Sequence, residues 1–404
     1  MSSTEATQAS IKKGWDLYKS IGSPKFIVAP MVNQSELPFR SLSRKYGAEL
    51  CFTPMFHAKM FSLDTKYREK IFETTPQDRP LFVQFCANDP QTLLTSAKAV
   101  ADRCDAVDIN LGCPQGIAKR GHYGAYLLEE TKLLADMVSL LHAELDVPVT
   151  CKIRVLPTEK ATLDLCLMLQ NSGCSILTVH GRTRDMIKQK IGPCDFDIIR
   201  KIKETLDIPV VANGGIETLA DVKRVLEITG CDGVMVSEGI LGNPAIFSGL
   251  DPEHAPTPIQ MAREYLELVK EVNTHGSKVA ARPHLFKILF KELTVLTSVR
   301  DFLGQCLDFE TICTVPDVIE AEIKKMGEEK YQEIYDKTPT WYMRFQAKKK
   351  QKEEEEAKAL LENPVPVVEQ VEEPEGLCGL FGGECEPEAS EYETESDAEE
   401  EKTA

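Results

Sequence analysis

Eight short apolar runs alternate with helical segments along the first two thirds of the chain, and this alternation limits the possible folds. The runs are rich in Val, Ile and Phe and span 26–31, 48–56, 80–87, 106–112, 148–155, 176–182, 208–216 and 233–239. Between them, apolar residues recur with helical spacing, as Leu219, Val222 and Val225 do after the seventh run. Strands that alternate with helices lie parallel, and eight such units close a (β/α)8 barrel. The sequence therefore predicts an α/β protein built on a TIM barrel.

The other parallel architecture, a doubly wound sheet, is less well supported. No Gly-x-Gly-x-x-Gly motif opens a helix after any of the eight runs. A chain of 404 residues also holds more than a barrel of about 250 residues. Residues 257–335 show helical spacing without strand alternation. We predict an N-terminal extension at 1–22, the barrel at 23–253, a smaller all-helical domain at 254–345 and a basic-then-acidic tail at 346–404.

The net charge of −17 is concentrated at the C-terminus. Residues 351–404 carry 19 acidic and three basic residues, so the rest of the chain is nearly neutral. This Glu- and Pro-rich tail predicts disorder, and either a protein-interaction segment or phosphorylation at Ser390 and Ser396. The nearly neutral body is compatible with a local basic surface. Its candidates in the helical region are Arg282, His284, Lys287, Lys291 and Arg300, and solvated charges on ordinary amphipathic helices are the alternative.

Several classes of protein are disfavoured by composition. No apolar run approaches the length of about 20 residues that crosses a bilayer, and residues 1–21 are polar, so neither secretion nor a membrane partner is expected. Thirteen scattered cysteines fit reduced thiols in the cytoplasm or nucleus better than a disulfide framework. Cys378 and Cys385 lack the further ligands of a zinc site, and no metal is expected.

Polar side chains cluster at the carboxyl ends of the predicted strands. Because strand residues alternate between faces, Lys152 and Arg154 share one face of the fifth run, as His180 and Arg182 do in the sixth. Asp108 and Asn110 share a face of the fourth run in the same way. Polar groups inside a barrel are costly unless they meet a ligand or each other. We therefore predict a shared site, with an Arg182–Asp185 ion pair as the ordinary alternative for that arginine.

Two turns after strands carry more specific chemistry. Cys113 lies between Gly112 and Pro114 after the fourth run, and an ordinary thiol is mostly protonated at neutral pH. Cys113 is thus able to give a proton as well as to attack. After the seventh run stands Asn-Gly-Gly at 213–215, and Ser-Glu-Gly ends the eighth at 237–239. Loops after the last two strands of a barrel often bind phosphate.

Six segments together resemble the tRNA dihydrouridine synthases. They are Ala-Pro-Met at 29–31, Asp-Ile-Asn-Leu-Gly-Cys-Pro at 108–114, Cys-Lys-Ile-Arg at 151–154, Thr-Val-His-Gly-Arg-Thr at 178–183, Ala-Asn-Gly-Gly at 212–215 and Gly-Asn-Pro at 242–244. Residues 116–125 and 236–239 resemble, more narrowly, the eukaryotic branch that acts on positions 16 and 17 of the tRNA D-loop. The resemblance is strong over 25–247 and looser to about residue 305.

This resemblance implies an FMN enzyme that reduces the C5=C6 bond of uridine in tRNA, with NADPH as the electron donor. Hydride would pass from flavin N5 to C6, and Cys113 would give the proton to C5. The implied cofactor-binding residues are Pro30, Met31 and Val32 along the flavin ring, Gln84, Lys152 and His180 at its polar edge or ribityl chain, and Asn213, Gly214 and Gly215 at the phosphate. The implied substrate-binding residues are Asn110, Arg154 and Arg182.

One departure from the family pattern lies at the end of the eighth strand. Many relatives have Gly-Arg there, and the arginine holds the flavin phosphate, whereas this chain has Ser237 and Glu238. The departure implies that backbone NH groups and the Ser237 hydroxyl bind the phosphate, with the Glu238 side chain turned away.

The implied tRNA substrate sets further expectations. The uracil must leave its stack to enter the barrel mouth, and phosphate contacts must make binding salt-dependent. The candidate contacts are Arg282, Lys287, Lys291, Arg300 and the lysines at 348–350 and 352. We expect a monomer. Two alternatives stay open, namely a flavin barrel of the dihydroorotate dehydrogenase or ene-reductase type acting on a small molecule, and a tRNA-binding protein without catalysis.

Overall fold

The computed structural model describes residues 12–187, 190–251 and 253–344. The predicted tail at 346–404, with its lysine cluster, cysteines and serines, lies outside the described residues and stays a prediction. Residues 1–353 form one compact unit, which contains both the barrel and the helical region. In the described part of the chain, no helix combines the length and apolar character needed to cross a membrane.

Eight parallel strands close into the predicted barrel. Their bounds are β1 (Phe26–Val28), β2 (Leu50–Phe52), β4 (Leu81–Cys86), β5 (Ala106–Leu111), β6 (Val149–Arg154), β7 (Leu177–His180), β8 (Val210–Asn213) and β9 (Gly233–Val236). They pair in the circular order β1, β9, β8, β7, β6, β5, β4, β2, and β2 pairs again with β1. The two-residue strand β3 (Phe56–His57) extends the sheet at the carboxyl end of β4 and was not separated from the second run by sequence.

Helices follow the strands and then continue alone, as predicted. Side chains such as Asp89, Thr158, Asp195 and Thr218 accept a backbone NH at the start of their helices. The barrel helices are α1 (Trp15–Ser20), α2 (Leu37–Lys45), α3 (Ala58–Leu63), α4 (Thr65–Ile71), α5 (Pro90–Lys98), α6 (Gly116–Gly121), α7 (Thr131–Glu144), α8 (Glu159–Asn171), α9 (Phe196–Thr205), α10 (Leu219–Thr229) and α11 (Glu238–Gly242), with short 3-10 turns at Ala101–Arg103 and Gly124–Leu127. The C-terminal helices are α12 (Pro258–Val272), α13 (His275–Ile288), α14 (Phe290–Val295), α15 (Thr297–Gln305), α16 (Phe309–Ile312), α17 (Val315–Met326) and α18 (Glu328–Lys337).

The barrel interior has an apolar floor. One buried cluster holds alternate strand residues that face inward, including Ile27, Phe82 and Met235. Leu17 and Tyr18 of α1 belong to the same cluster, and the Tyr18 hydroxyl donates to the carbonyls of Pro24 and Asp232. Part of the predicted N-terminal extension therefore packs against the barrel. The floor fills the interior near the start of the strands and leaves polar residues at the other end.

The outward-facing strand residues pack under the helices in a second, larger cluster, which includes Val28, Val107, Cys151, Ile153 and Val179. The helical region joins this core through α12, which packs on α2. At that contact the Tyr265 hydroxyl donates to Glu36, and His284 Nε2 lies 3.0 Å from the other Glu36 carboxylate oxygen. The helical region is thereby held against the barrel.

Candidate active site

The polar residues predicted from strand alternation meet at the carboxyl ends of the strands. In the strand register Asn110 pairs with Lys152, Arg154 pairs with His180, and His180 pairs with Asn213. On the neighbouring strand β4, Gln84 pairs with Asp108, which precedes Asn110 by two residues on β5. Cys151 and Ile153, which alternate with Lys152 and Arg154, lie in the outer cluster under the helices. One continuous polar band therefore lines the barrel mouth above the apolar floor.

A chain of side-chain hydrogen bonds forms the base of this band. Thr150 Oγ1 donates to Asp108 Oδ1 at 2.6 Å, and Gln84 Nε2 donates to Asp108 Oδ2 at 2.7 Å. Asn110 Nδ2 then donates to Gln84 Oε1 at 2.7 Å. Burial raises the pKa of Asp108 to about 6, although the hydrogen bonds from Gln84 and Thr150 oppose this rise. The chain fixes the orientation of both amides.

The loop that carries Cys113 is anchored through its backbone on both sides. Asn110 Oδ1 accepts from Gly112 N at 3.2 Å and from Cys113 N at 2.9 Å. Arg154 Nε donates to the Gly112 carbonyl at 2.9 Å, and Ala125 N donates to the Cys113 carbonyl at 3.0 Å. These four contacts leave the half-buried thiol on a rigid turn at the mouth.

Two further residues complete the support of this loop. The Tyr126 hydroxyl donates to the Pro114 carbonyl at 3.0 Å. Gly124 has φ +67°, and a Cβ there would lie 2.7 Å from the Cys113 carbonyl oxygen and 3.0 Å from its Cβ. Glycine is therefore required at position 124 for the second segment to approach Cys113.

The electrostatics of the mouth favour a neutral thiol and a neutral imidazole. Burial raises the pKa of Cys113 above its ordinary value, although Arg154 and Lys152 act in the opposite direction. Burial holds the pKa of His180 well below its ordinary value, and the cations Arg154, Lys152 and Arg182 add to that effect. At neutral pH both groups keep their uncharged forms.

Lys152 stands out because its ammonium has no hydrogen-bond or ion-pair partner within residues 12–187, 190–251 and 253–344. Burial, together with the neighbouring cation of Arg154, lowers its pKa to about 8, and Asp108 opposes the shift. A partly buried ammonium without a protein acceptor is costly. The mouth is therefore suited to a ligand that brings acceptor atoms to Lys152.

The two predicted substrate arginines are bound mainly to backbone. Besides Gly112, Arg154 donates from Nη1 to the Thr183 carbonyl at 2.9 Å, and burial lowers its pKa to about 10. Arg182 Nε donates to the Gly192 carbonyl at 2.8 Å, and its Nη1 lies 3.4 Å from His180 Nε2. The alternative Arg182–Asp185 pair is not formed among the described residues, and Asp185 instead pairs with Arg184 at 3.8 Å. The arginines fix the loops around the mouth, and their substrate contacts stay predictions.

The Asn-Gly-Gly segment forms a tight cradle after β8. Gly214 and Gly215 have φ values of +102° and +71°. A Cβ on Gly214 would lie 2.6 Å from the His180 ring, so only glycine fits there. The Asn213 amide donates to the Met235 carbonyl at 2.8 Å, which ties its side chain to β9. The two glycines thereby let the backbone turn tightly against the side chains of His180, Cys194 and Phe196 at the end of this strand.

The remaining predicted cofactor residues lie at the ends of β1 and β9. Pro30 and Met31 are half-buried, Met31 packs on the apolar floor, and Val32 is 51% exposed. Ser237 is half-buried, whereas the Glu238 carboxylate lies at the surface and accepts from Trp341 Nε1 and Arg344 Nη1, each at 3.1 Å. The Glu238 side chain is therefore exposed, and its position relative to a bound phosphate stays a prediction.

The predicted basic surface on the helices does not form as a single face. His284 is fully buried against Glu36, and Lys287 is 8% exposed with Nζ donating to the Pro283 carbonyl at 3.0 Å. Their inclusion in an exposed surface was wrong, because both fill the core between the helices and the barrel. Arg282 donates to the Cys306 carbonyl, and Arg300 pairs with Asp301. Lys291 Nζ lies 3.9 Å from the centre of the Tyr335 ring.

Sequence reasoning did not identify the supporting residues. Thr150 and Tyr126 hold the Asp108 chain and the Cys113 loop, and Trp341, Tyr342 and Arg344 reach the mouth from far along the sequence. Strand alternation carried a signal for Thr150, which shares a face with Lys152. A contact between residues about 100 positions apart has no local signal.

A closed parallel barrel with a polar mouth and a glycine cradle after β8 defines the TIM-barrel class of enzymes. Within that class, this chain belongs to the dihydrouridine synthase family, whose sequence profile matches residues 27–301.

Named relatives agree with this assignment. A mouse protein named tRNA-dihydrouridine(16/17) synthase-like is 46% identical over 74% of this chain and 62% of its own length, so the chain spans less than two thirds of that relative. The fission yeast and baker's yeast proteins, from Schizosaccharomyces pombe and Saccharomyces cerevisiae, are named tRNA-dihydrouridine(16/17) synthases. Each is 45% identical over 74% of this chain, covering 78% and 74% of their own lengths. Among solved structures, an old yellow enzyme homologue from Zymomonas mobilis aligns over 55% of this chain and 86% of its own chain. The sequence identity is 12% and the TM-score is 0.39, and no functional conclusion is based on this likeness.

Proposed function

We propose that this protein reduces uridine to dihydrouridine in the D-loop of tRNA, at position 16, position 17 or both. The proposal rests on membership of the dihydrouridine synthase family and on the names of relatives at 45–46% identity. The observation in the site that carries it is the half-buried thiol of Cys113, which is held on an anchored turn near Lys152, whose ammonium makes no hydrogen bond or ion pair in the described part of the chain.

The residues at the mouth fit FMN as the cofactor, with NADPH as its reductant. FMN, when bound, supplies the hydride that reduces C6 of the uracil. The backbone of Gly214 and Gly215 would hold the phosphate, because both residues have positive φ and lie in the loop after a barrel strand, where phosphates often bind. Lys152 and the neutral His180 would bind the polar edge of the ring, and Met31 would support its face.

The proton for C5 would come from Cys113. General acid catalysis requires the acid to be protonated at working pH, and the raised pKa of Cys113 meets that condition. Lys152, with Arg154 behind it, makes the mouth positive and so stabilises negative charge that develops on the uracil carbonyl. In this role Asn110 is a positioning residue, since its carboxamide holds the backbone NH of Cys113.

The mouth also has features suited to an RNA chain. Lys119 and Arg120 of α6 follow Cys113 closely in sequence, are exposed, and have no ion-pair partner in the described part of the chain. Cations at the rim attract phosphates, so tRNA binding would weaken as salt is raised. A uracil that has left its stack would then enter the mouth. The eleven described cysteines are free thiols, which supports a cytoplasmic or nuclear location.

Purified full-length protein tests this proposal. We expect flavin absorbance in the protein and NADPH oxidation that depends on tRNA lacking dihydrouridine, with dihydrouridine then mapped at position 16 or 17. Fully modified tRNA is the control substrate and is expected to support no oxidation above background. Bound flavin with NADPH oxidation only on small enones or orotate would replace the proposal with a small-molecule oxidoreductase. Absence of flavin from a protein that binds tRNA would replace it with a non-catalytic function.

A further inference from the structure

A short segment after α18 packs across the edge of the barrel mouth. We define residues 340–344 as the C-terminal strap. The Thr340 hydroxyl donates to the Glu217 carboxylate, and Trp341 Nε1 donates to Glu238 Oε2 at 3.1 Å. The phenol of Tyr342 contacts the Arg182 guanidinium after β7. The strap therefore touches the loops after β7, β8 and β9.

The packing of Trp341 fixes the strap in position. Its ring lies edge-on to Phe290 with centroids 5.5 Å apart, and Lys287 Nζ lies 5.4 Å from its centre. A Cβ on Gly242 would lie 2.9 Å from the Trp341 Cβ, so α11 approaches the strap closely because residue 242 is glycine. Close packing of the Trp341 side chain on three sides therefore holds the strap against the barrel.

The charges at this contact are arranged around one carboxylate. Glu238 Oε2 lies 3.1 Å from Arg344 Nη1, and the Arg344 side chain is 13% exposed while that of Glu238 is 52% exposed. The Arg344 guanidinium also stacks 3.4 Å from the centre of the Trp341 ring. Lys287 lies close enough to Glu238 to interact with it electrostatically. The strap thus brings a cation to the carboxylate.

The backbone that carries this carboxylate lies next to the glycine cradle. Asn213 of β8 and Met235 of β9 are register partners in the sheet. Gly215 comes two residues after Asn213, and Ser237 comes two residues after Met235, so the two loops leave the sheet side by side. A Cβ on Gly239 would lie 2.5 Å from the Ile216 carbonyl oxygen, so the start of α11 presses directly on the end of the cradle. A phosphate held by the cradle would therefore feel the charge at position 238.

We propose that Arg344 is a positioning residue for flavin binding, which cancels the charge of Glu238 beside the phosphate of the flavin nucleotide. The proposal rests on the proposed function, since it takes the ligand of the cradle to be FMN. It also explains how a chain with Glu at the end of the eighth strand tolerates a dianion there. The cation comes from the strap instead of from the strand end.

The test is a charge cycle on full-length protein freed of flavin, with the dissociation constant of FMN measured by quenching of its fluorescence. Arg344→Gln removes the cation paired with Glu238, leaving only the more distant Lys287, and is expected to weaken FMN about tenfold. Arg344→Lys keeps the charge and is expected to stay within about threefold of wild type. Arg344→Gln combined with Glu238→Gln removes both charges and is expected to restore most of the affinity. Lys337→Gln, which removes an exposed cation paired with Glu333 on α18, is the matched control and is expected to change nothing.

A purely mechanical role for the strap gives a different pattern. If the ion pair only tethers the strap, Glu238→Gln, Arg344→Gln and the double variant weaken FMN equally, and the proposal is overturned. Unchanged affinity in Arg344→Gln overturns it as well. Failure of the wild-type protein to bind FMN refutes the proposed function itself, and is distinguished from the other outcomes because it precedes any variant.

Discussion

Asn110 links the buried hydrogen-bond chain to the Cys113 loop, so Asn110→Ala tests whether the loop is held as described. The substitution removes three hydrogen bonds, at 3.2 Å to Gly112 N, 2.9 Å to Cys113 N and 2.7 Å to Gln84 Oε1. In the variant, water can accept the hydrogen bonds that the backbone NH groups of Gly112 and Cys113 now donate to Asn110, because this loop is half-buried. Gln84 is fully buried, so its side-chain oxygen would be left without a donor. An unsatisfied buried group costs about 1–3 kcal/mol, so we expect Asn110→Ala to lower the free energy of unfolding by roughly 1–3 kcal/mol.

Urea unfolding followed by circular dichroism measures this loss. The matched control is Asn88→Ala, because Asn88 is exposed and makes one 3.3 Å hydrogen bond to the Gly121 carbonyl. We expect the control to change the free energy of unfolding by less than about 0.5 kcal/mol. Alkylation of Cys113 in Asn110→Ala is also expected to be at least about threefold faster, since the loop opens more often. Equal unfolding midpoints for the two variants would refute the anchoring role of Asn110.

Three further predictions concern the same site. The folded pKa of Asp108, about 6, lies above its ordinary value, so the folded protein retains a proton that the unfolded chain releases between roughly pH 4 and 6. Wild type should lose stability relative to Asp108→Asn as pH rises through that range, and a difference independent of pH would contradict the buried placement. Tyr126→Phe removes the hydroxyl that donates to the Pro114 carbonyl, and it should slow turnover several-fold while the FMN affinity stays unchanged. A loss of FMN affinity would instead contradict a role of Tyr126 limited to the Cys113 loop. The pKa of Lys152 is lowered to about 8, so its ammonium loses its charge between roughly pH 7 and 9, and FMN should bind more weakly to wild type as pH rises through that range. Lys152→Met should bind FMN more weakly at every pH, without this pH dependence. An identical pH profile in both proteins would argue against contact between Lys152 and the flavin.

The sequence predicted the barrel because each strand carries its own local signal. All eight runs contain a strand, and each strand ends within the predicted run, since apolar residues continue past the last ladder hydrogen bond into the loops. Alternation also predicted which residues of β6 face the mouth. Lys152 and Arg154 lie there, while Cys151 and Ile153 lie under the helices.

Partners of these residues were beyond the reach of the sequence. Spacing indicates that Arg154 faces the mouth, but not that its donors reach the carbonyls of Gly112 and Thr183. Lys287 looked like a surface cation because its burial depends on Trp341, which returns to it from more than 50 positions away. The same reason hid the strap, whose contacts with Glu238 join residues 103 and 106 positions apart.

The central claim is that Cys113 protonates the substrate, and a single-turnover measurement on Cys113→Ala tests it most directly. Protein reduced with NADPH without oxygen is mixed with tRNA that lacks dihydrouridine, and product is quantified over time. Cys313→Ala, which removes another half-buried thiol in the helical region, is the control. Our account predicts a rate about 10²- to 10⁴-fold lower for Cys113→Ala, with FMN content and tRNA affinity unchanged and the control at the wild-type rate. A Cys113→Ala rate within about twofold of wild type would contradict it.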